Sequence, residues 1–280
     1  MAEIPDVTID ELSARYDVLL LDAYGVLVHS AGALPGAAAL IDRLNWAGQR
    51  YFVVTNDASK LPATGARRYR SYGLDLSPER IITSGSLLVP YFAAHGLAGT
   101  RCVVLGPADS ERYVEHAGGR VVAPSAGFDV IVIGDESGYP FLETVDEVLT
   151  LLFRAIDRGG AIRLVLPNPD LIYPAGDGGF GFASGTVAAM FEAALQARYP
   201  DRPDLRFARL GKPHAAIFEE AVRRSGTRHM VMIGDQLETD IRGARAFGFD
   251  AALVATGVTQ SPLDGVPEAI RPTYRLRSLT

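Results

Sequence analysis

The feature that most constrains this chain is an alternation. Short apolar runs closed by Gly, Pro or Asp occur at 18–21, 51–54, 101–105, 130–133, 162–166, 230–233 and 251–254. Between them lie amphipathic stretches at 36–48, 62–72, 110–117, 143–158, 185–198, 213–225 and 239–247. A strand covered on both faces needs a continuous apolar run, and a helix packed on a sheet needs a stripe with a period near 3.6, so the pattern reads as successive βαβ units around parallel sheets. Start signals agree: Pro35-Gly36 precedes the first helical stretch, Pro213 stands at a first helical position, and Thr239-Asp240 reads as a cap. The fold class is α/β.

At 280 residues the chain is long enough for roughly two domains of about 100 to 200 residues. A Ser/Gly segment at 83–86 and a Gly-rich segment at 174–185 bracket three of the apolar runs. They are the expected crossings between a core of 1–83 plus 184–280 and an inserted domain of 84–183. The lone Cys102 excludes an intrachain disulfide, and 27 basic against 33 acidic residues, net −6, leave no basic surface of the nucleic-acid type. The apolar runs fall well short of the roughly 18 residues of a membrane span, and the acidic start MAEIPDVTIDEL does not resemble a secretory signal. A cytoplasmic, soluble protein is expected, with a small molecule rather than nucleic acid or membrane as partner. Of the 27 basic residues only Lys60 and Lys212 are lysines. A chain that otherwise uses Arg keeps Lys where a compact charge on a flexible stem is wanted, which marks Lys212 for a site role.

In open parallel sheets ligands collect at the carboxyl ends of strands. Run 18–21 leads into Asp22-Ala23-Tyr24-Gly25, run 51–54 into Thr55-Asn56-Asp57 and run 230–233 into Gly234-Asp235, while Lys212 stands just before a helix. Two carboxylates, a hydroxyl and an ammonium at one sheet edge suit phosphoryl transfer through an aspartyl phosphate. One carboxylate attacks, a divalent cation offsets its repulsion from phosphate, and fixed donors hold the equatorial oxygens. Asp22 is the expected nucleophile, Asp22 and Asp235 the expected Mg²⁺ ligands, and Lys212 and Thr55 the phosphoryl donors. Mg²⁺ suits such all-oxygen ligation.

The segments LLLDAYGVL, VVTND, LGKP and IGDQLETDIRGA resemble, in order, the four motifs of the haloacid dehalogenase superfamily. Asp22 and Thr55 are 33 positions apart, room for one helix and one strand, whereas Thr55 and Lys212 are 157 apart. An inserted cap therefore falls between the second and third motifs, as in the class IIA branch of p-nitrophenyl-phosphatase and pyridoxal-phosphate-phosphatase relatives. The resemblance implies a Rossmann-like parallel-sheet core with an inserted α/β cap domain, and Mg²⁺-dependent hydrolysis of a small phosphorylated metabolite. It makes the Tyr24 carbonyl a further metal ligand and Asp240 a brace for Lys212 or metal-bound water. It places substrate-binding positions at Gly25, Asn56, Asp57, Asn168 and Asp170, with Leu166-Pro167-Asn168-Pro169-Asp170 and the Gly-rich return as the re-entry into the core. It also implies a homodimer joined through the caps.

The sequence departs from that family in two places that matter. Phosphatases of the family carry a second Asp two positions after the nucleophile to protonate the leaving oxygen and activate water, and here Tyr24 stands there. A phenol, with a reference pKa of about 10, is a poor base near neutrality, so the expected preference is for leaving groups that depart as stable anions. Asp57 stands where relatives have Asn and would repel phosphate unless paired or turned away. Two alternatives follow: a relative that binds phosphate and metal with little turnover, and a 2-haloacid dehalogenase-like hydrolase, whose nucleophile loop Asp-Ala-Tyr-Gly also resembles. Asp135, in Ile133-Gly134-Asp135, imitates Gly234-Asp235 but has Pro140 where the fourth motif has Asp240, and reads as a turn. Lys60 reads as an ordinary surface lysine. Among the histidines only His29, on the loop after Asp22, is a candidate for activating water.

Overall fold

In the computed structural model, residues 3–29, 31–176, 179–254 and 265–279 are described. The chain divides into two compact units, one of Met1–Thr55, Pro62–Ile82 and Lys212–Thr280, the other of Asn56–Leu61 and Thr83–Gly211.

The first unit is built on a seven-stranded sheet in the order Asp6–Val7, Tyr274–Leu276, Asp250–Val254, Met230–Gly234, Val18–Leu21, Arg50–Thr55 and Ile81–Thr83. The central strands pair in parallel, and Val18–Leu21 and Met230–Gly234 are buried along their whole length. That burial is why both read as uninterrupted apolar runs rather than alternating ones. Helices Ala37–Trp46, Pro62–Ser71 and Ala215–Ser225 flank the sheet, each burying an apolar stripe such as Leu40, Ile41 and Leu44. The register sets Leu21 beside both Ile233 and Val53, so Asp22, Thr55 and Asp235 leave the sheet at one edge. Beside Val18–Leu21 the next strand of this sheet in sequence, Arg50–Thr55, pairs on one side and a strand more than 200 positions later pairs on the other. This is a topological switch point, the usual ligand crevice of such sheets.

The second unit has its own parallel five-stranded sheet, ordered Ala208–Arg209, Arg163–Leu166, Val130–Ile133, Arg101–Leu105 and Arg120–Val121. Helices Ala108–His116, Phe141–Asp157 and Ser184–Arg198 accompany it. The expected return to the core at 184 falls inside this unit. Val187, Phe191 and Leu195 of the Ser184–Arg198 helix share one apolar core with Ile131, Ile133, Leu164 and Leu166, and Ala208–Arg209 extends the same sheet. The Gly-rich stretch expected to carry the crossing instead forms an antiparallel hairpin of Ile172–Gly176 and Gly179–Phe182. The first unit resumes only at Lys212.

The short segment Asn56–Leu61 belongs to the second unit although it follows a strand of the first. Ser84 Oγ donates to Asn56 O at 2.7 Å, Ser110 Oγ to Ala58 O at 2.8 Å and Tyr113 Oη to Lys60 O at 2.5 Å, while Leu61 N donates to Asp109 Oδ2 at 3.0 Å. Among the described residues no helix is long and apolar enough to cross a membrane.

Candidate active site

The switch point of the first unit holds a buried cluster of charge. Asp22, Lys212, Asp235 and Asp240 are each at most 5% exposed. Lys212 Nζ lies 2.6 Å from Asp22 Oδ1 and 2.7 Å from Asp240 Oδ1. Asp22 is fixed from both sides, its N–H donating to Ile233 O and its Oδ1 accepting from Ala23 N at 2.7 Å. Asp240 sits on a π-helical turn, Leu237–Ile241, and its Oδ2 accepts from the backbone N–H of Asp235 and of Gln236, both at 3.2 Å. Both Asp240 oxygens are thus taken by protein donors, which makes it the brace of Lys212 and of the Asp235 loop.

Two glycines make room for this packing. A Cβ at Gly25, whose φ is +84°, would lie 2.1 Å from Asp235 Oδ2, and one at Gly234 would lie 2.3 Å from the Asp240 Cβ. Only a residue without a side chain lets the loop after Asp22 approach the Asp235 carboxylate this closely.

The electrostatics are those of a cation site. One carboxylate oxygen from each of Asp22, Asp235 and Asp240 can be chosen so that all three lie within 4.8 Å of one another. Three carboxylates against one ammonium leave an excess of negative charge out of water, which is costly unless a cation joins them. The strain appears on Asp22, whose carboxyl is pushed well above the usual range by burial first and then by the charges of Asp240 and Asp235, against the pull of Lys212. Burial works against the Lys212 ammonium, but Asp22 and Asp240 outweigh it and hold the group charged. With Asp240 occupied and Asp22 Oδ1 taken by Lys212 and Ala23, the set fits a hard, oxygen-seeking ion held by Asp22 and Asp235.

The other expected residues are placed as follows. Thr55 is buried at the end of Arg50–Thr55, in the same unit as the cluster. Asn56, Asp57, Asn168 and Asp170 all belong to the second unit. Asn56 Nδ2 donates to Asp170 Oδ1 at 2.9 Å, and Asn168 Oδ1 accepts from Asp170 N at 3.0 Å. The Asp57 carboxylate caps its own turn, accepting from Ser59 N at 2.7 Å and Ser59 Oγ at 2.8 Å, and pairs with Lys60 Nζ at 3.4 Å. The second lysine thereby gains a structural reason that its position alone did not give. Asp135 Oδ1 accepts from Ser137 N at 3.0 Å and Ser137 Oγ at 2.6 Å, a turn-capping arrangement. His29 is exposed, with its Nδ1 accepting from Ala31 N at 2.9 Å.

Sequence reasoning missed Arg68. Its Nη2 donates to the Tyr24 Oη at 2.5 Å and its Nε to the Tyr72 Oη at 3.1 Å, with the guanidinium 5.5 Å and 5.6 Å from the two ring centroids. Burial opposes the Arg68 charge most strongly, yet the hydrogen bonds and charges of Tyr72 and Tyr24 raise its pKa above the ordinary value. The i,i+4 spacing of Arg68 and Tyr72 was visible in the sequence, but their meeting with Tyr24 depends on the tertiary fold.

Comparison with known proteins gives a consistent result. Residues 19–120 match a family model described as haloacid dehalogenase-like hydrolase, and residues 209–280 match a second, HAD-hydrolase-like model. A dihydroxyacetone phosphatase of Corynebacterium glutamicum is 29% identical over 93% of this chain and 88% of its own length. The crystal structure of a possible sugar phosphatase of the HAD superfamily from Cytophaga hutchinsonii superposes with a TM-score of 0.83 at 30% identity, covering 99% of each chain. A glycerol phosphate phosphatase of Mycobacterium tuberculosis, solved in complex with magnesium, superposes with a TM-score of 0.81 at 25% identity over 96% of this chain and 76% of its own.

Proposed function

Because this chain belongs to the haloacid dehalogenase-like hydrolases, in their class IIA branch, we propose that it is a Mg²⁺-dependent phosphatase acting on a small phosphorylated metabolite through an aspartyl phosphate on Asp22. The observation that carries this reading is the buried Asp22–Lys212–Asp240 chain with Asp235 beside it at the switch point. The matched relatives act, by their names, on dihydroxyacetone phosphate, sugar phosphates and glycerol phosphate, which supports a short polyol or sugar phosphate as substrate. The magnesium complex of the glycerol phosphate phosphatase supports the choice of ion.

In this mechanism Asp22 attacks phosphorus with its oxygen not held by Lys212. Lys212, its charge maintained by Asp22 and Asp240, attracts the phosphoryl oxygens, and the Thr55 hydroxyl contributes a further donor. Asp22, Asp235 and the Tyr24 carbonyl would hold Mg²⁺. The ion supplies positive charge against the repulsion between carboxylate and phosphate and against charge that develops in the transition state. Asn56, Asp57, Asn168 and Asp170 are proposed as substrate-binding residues, with Asn56 and Asp170 acting as one hydrogen-bonded pair, and the second unit is read as the cap. Gly25 serves through its missing side chain. A pairing of caps into a homodimer and a cytoplasmic location complete the proposal. Halide displacement is the weaker reading, because it needs no divalent cation, whereas the buried carboxylates beside Asp22 suit one.

The test is a phosphatase screen over metabolite classes with Mg²⁺ and EDTA arms, with the Asp22→Asn variant alongside. Turnover of small phosphomonoesters that requires both Mg²⁺ and Asp22 is expected. Mg²⁺-dependent binding of phosphate analogues without turnover would assign the chain to a binding role, and release of halide from 2-haloacids would overturn the phosphatase reading.

A further inference from the structure

The second unit holds a cleft none of whose lining residues is among those proposed for catalysis or substrate binding. It has a volume of about 440 Å³ and lies at the amino ends of the strands Arg101–Leu105, Val130–Ile133 and Arg163–Leu166, beside the last turn of the Phe141–Asp157 helix. Asn168 follows the carboxyl end of Arg163–Leu166, so the cleft is at the other end of this sheet. Three guanidiniums, those of Arg101, Arg154 and Arg158, line it against the single carboxylate of Asp129. That carboxylate is fully engaged. Arg101 Nε and Nη2 donate to its two oxygens at 3.1 Å and 2.8 Å, and Arg101 N adds a third bond at 3.0 Å. These bonds hold Asp129 below the ordinary carboxylate range. The Arg154 and Arg158 side chains have no hydrogen bond or ion pair among the described residues. Asp157, which stands between them in sequence, is held instead by Arg198 Nη2 at 2.8 Å and Tyr199 Oη at 2.7 Å.

A basic residue near a helix C-terminus complements the helix dipole, which accounts for Arg154 or Arg158 taken singly. It does not account for a walled cleft with an excess of positive charge in a chain of net −6. The walls are shaped as well as charged. Phe128 belongs to the apolar core of the unit, and Leu151 and Ile162 pack against that core, so the cleft has an apolar floor. Gly127 has a φ of +77°, and a Cβ there would lie 3.2 Å from Arg101 Nη1, so the loop closes around this guanidinium because the position has no side chain. Arg101 Nη1 has only a long contact of 3.5 Å with Ala126 O, which leaves it donor capacity. We propose that the cleft binds a small organic phosphate, its phosphoryl group held by Arg154 and Arg158 and its apolar body against Phe128, Leu151 and Ile162. Planar guanidinium forks match phosphoryl oxygens, and the i,i+4 spacing sets the two arginines on one face of the helix. The volume falls within the range of about 300 to 1,000 Å³ usual for small-molecule sites. Inorganic phosphate would use the arginines and leave the floor bare, while a neutral molecule would use the floor alone. The site stands apart from the phosphatase reading, since it needs neither Mg²⁺ nor turnover.

The experiment titrates phenylphosphonate, which has a phosphoryl-like head on an apolar ring and is not hydrolysed, into the full chain by calorimetry in EDTA. Inorganic phosphate and benzamide serve as the head and the body alone. Phenylphosphonate is expected to bind at one site, about tenfold more tightly than inorganic phosphate, because the ring covers the apolar floor. Added salt should weaken it, since the arginines are exposed. Arg154→Gln and Arg158→Gln keep a helix-forming side chain and are each expected to weaken binding about tenfold, with an unchanged far-ultraviolet spectrum. Arg154→Lys keeps the charge and should retain more affinity than Arg154→Gln. Equal affinity for phenylphosphonate and inorganic phosphate would overturn the assignment of an organic ligand. Affinity unchanged in both glutamine variants would place the probe elsewhere and overturn the site. Binding that appears only with Mg²⁺ would assign the probe to the carboxylates of the proposed active site, and no binding at all would leave the arginines as plain helix-end charges; either result overturns the proposal. Turnover is not read in any arm, so failure here and failure of the phosphatase reading are distinguishable.

Discussion

At the residue scale the site is a balance of like charges held out of water. Asp240 has its oxygens taken up by Lys212 and two backbone N–H groups, whereas the Asp235 carboxylate fills the space that a Gly25 side chain would need and has an oxygen within 4.8 Å of one from Asp22. Calorimetric titration of Asp235→Asn with Mg²⁺ is therefore expected to give at least a tenfold weaker Kd than wild type, since one of the two carboxylates proposed to hold the ion is removed. Unchanged affinity would place the ion elsewhere. Gly25→Ala should be worse than its size suggests. Its Cβ would meet Asp235 Oδ2 at 2.1 Å, and its φ of +84° is strained for any L side chain. Loss of Mg²⁺ binding by a folded Gly25→Ala protein, read from calorimetry together with an unchanged far-ultraviolet spectrum, is the expected outcome.

At the scale of elements, what could be read from the sequence was whatever a local pattern encodes. The runs at 18–21 and 130–133 reappear as strands with the same limits because a doubly covered strand must be apolar throughout, and the run at 101–105 reappears with its exposed Arg101 at the strand's start. The Leu88–His95 helix was missed because its sequence LVPYFAAH has no polar face to give it a period. Tyr274–Leu276 and Ile81–Thr83 are three-residue strands, too short to signal themselves. The Ser184–Arg198 helix was foreseen but assigned to the wrong unit, since an apolar stripe says that a face is buried and not against what. Its true attachment is partly ionic. Glu192, 6% exposed, accepts from Phe207 N at 2.9 Å and from Arg209 Nη2 at 2.9 Å, tying the helix to the segment that leads into Ala208–Arg209. Burial raises the Glu192 pKa most, but those partners outweigh it and hold the carboxyl below the ordinary value. A depressed carboxyl contributes stability that is complete above the unfolded value near 4.3 and is lost as pH falls through the folded one. Glu192→Gln should therefore cost about 1.5 to 3 kcal/mol at neutral pH. The gap to wild type in urea melts should narrow below about pH 4. A penalty that stays constant from pH 7 to pH 3 would show that shape rather than charge matters there.

For the whole molecule, the cost of the site should appear in stability. Asp22, Asp235 and Asp240 sit at the carboxyl edge of the seven-stranded sheet, next to its most deeply buried strands, and one ammonium does not neutralise three carboxylates. Folding must hold these charges together without water, and a cation that binds only the folded state offsets the cost. At a hundredfold excess over Kd such an ion stabilises by about 2.7 kcal/mol. That corresponds to a rise in Tm of about 5 to 10 °C for a chain of this order of size. Wild type is thus expected to melt several degrees higher in Mg²⁺ than in EDTA. The informative case is again Asp235→Asn, because it changes both terms with opposite signs. In EDTA the amide removes repulsion from Asp22 and Asp240, so the variant should melt above wild type; in Mg²⁺ it forgoes the ion, so the difference should shrink or reverse. A structural role for Asp235 would lower Tm in both media. A crossing of the two stability orders on adding Mg²⁺ follows only if the carboxylates are held together for a cation, at the expense of the unliganded fold.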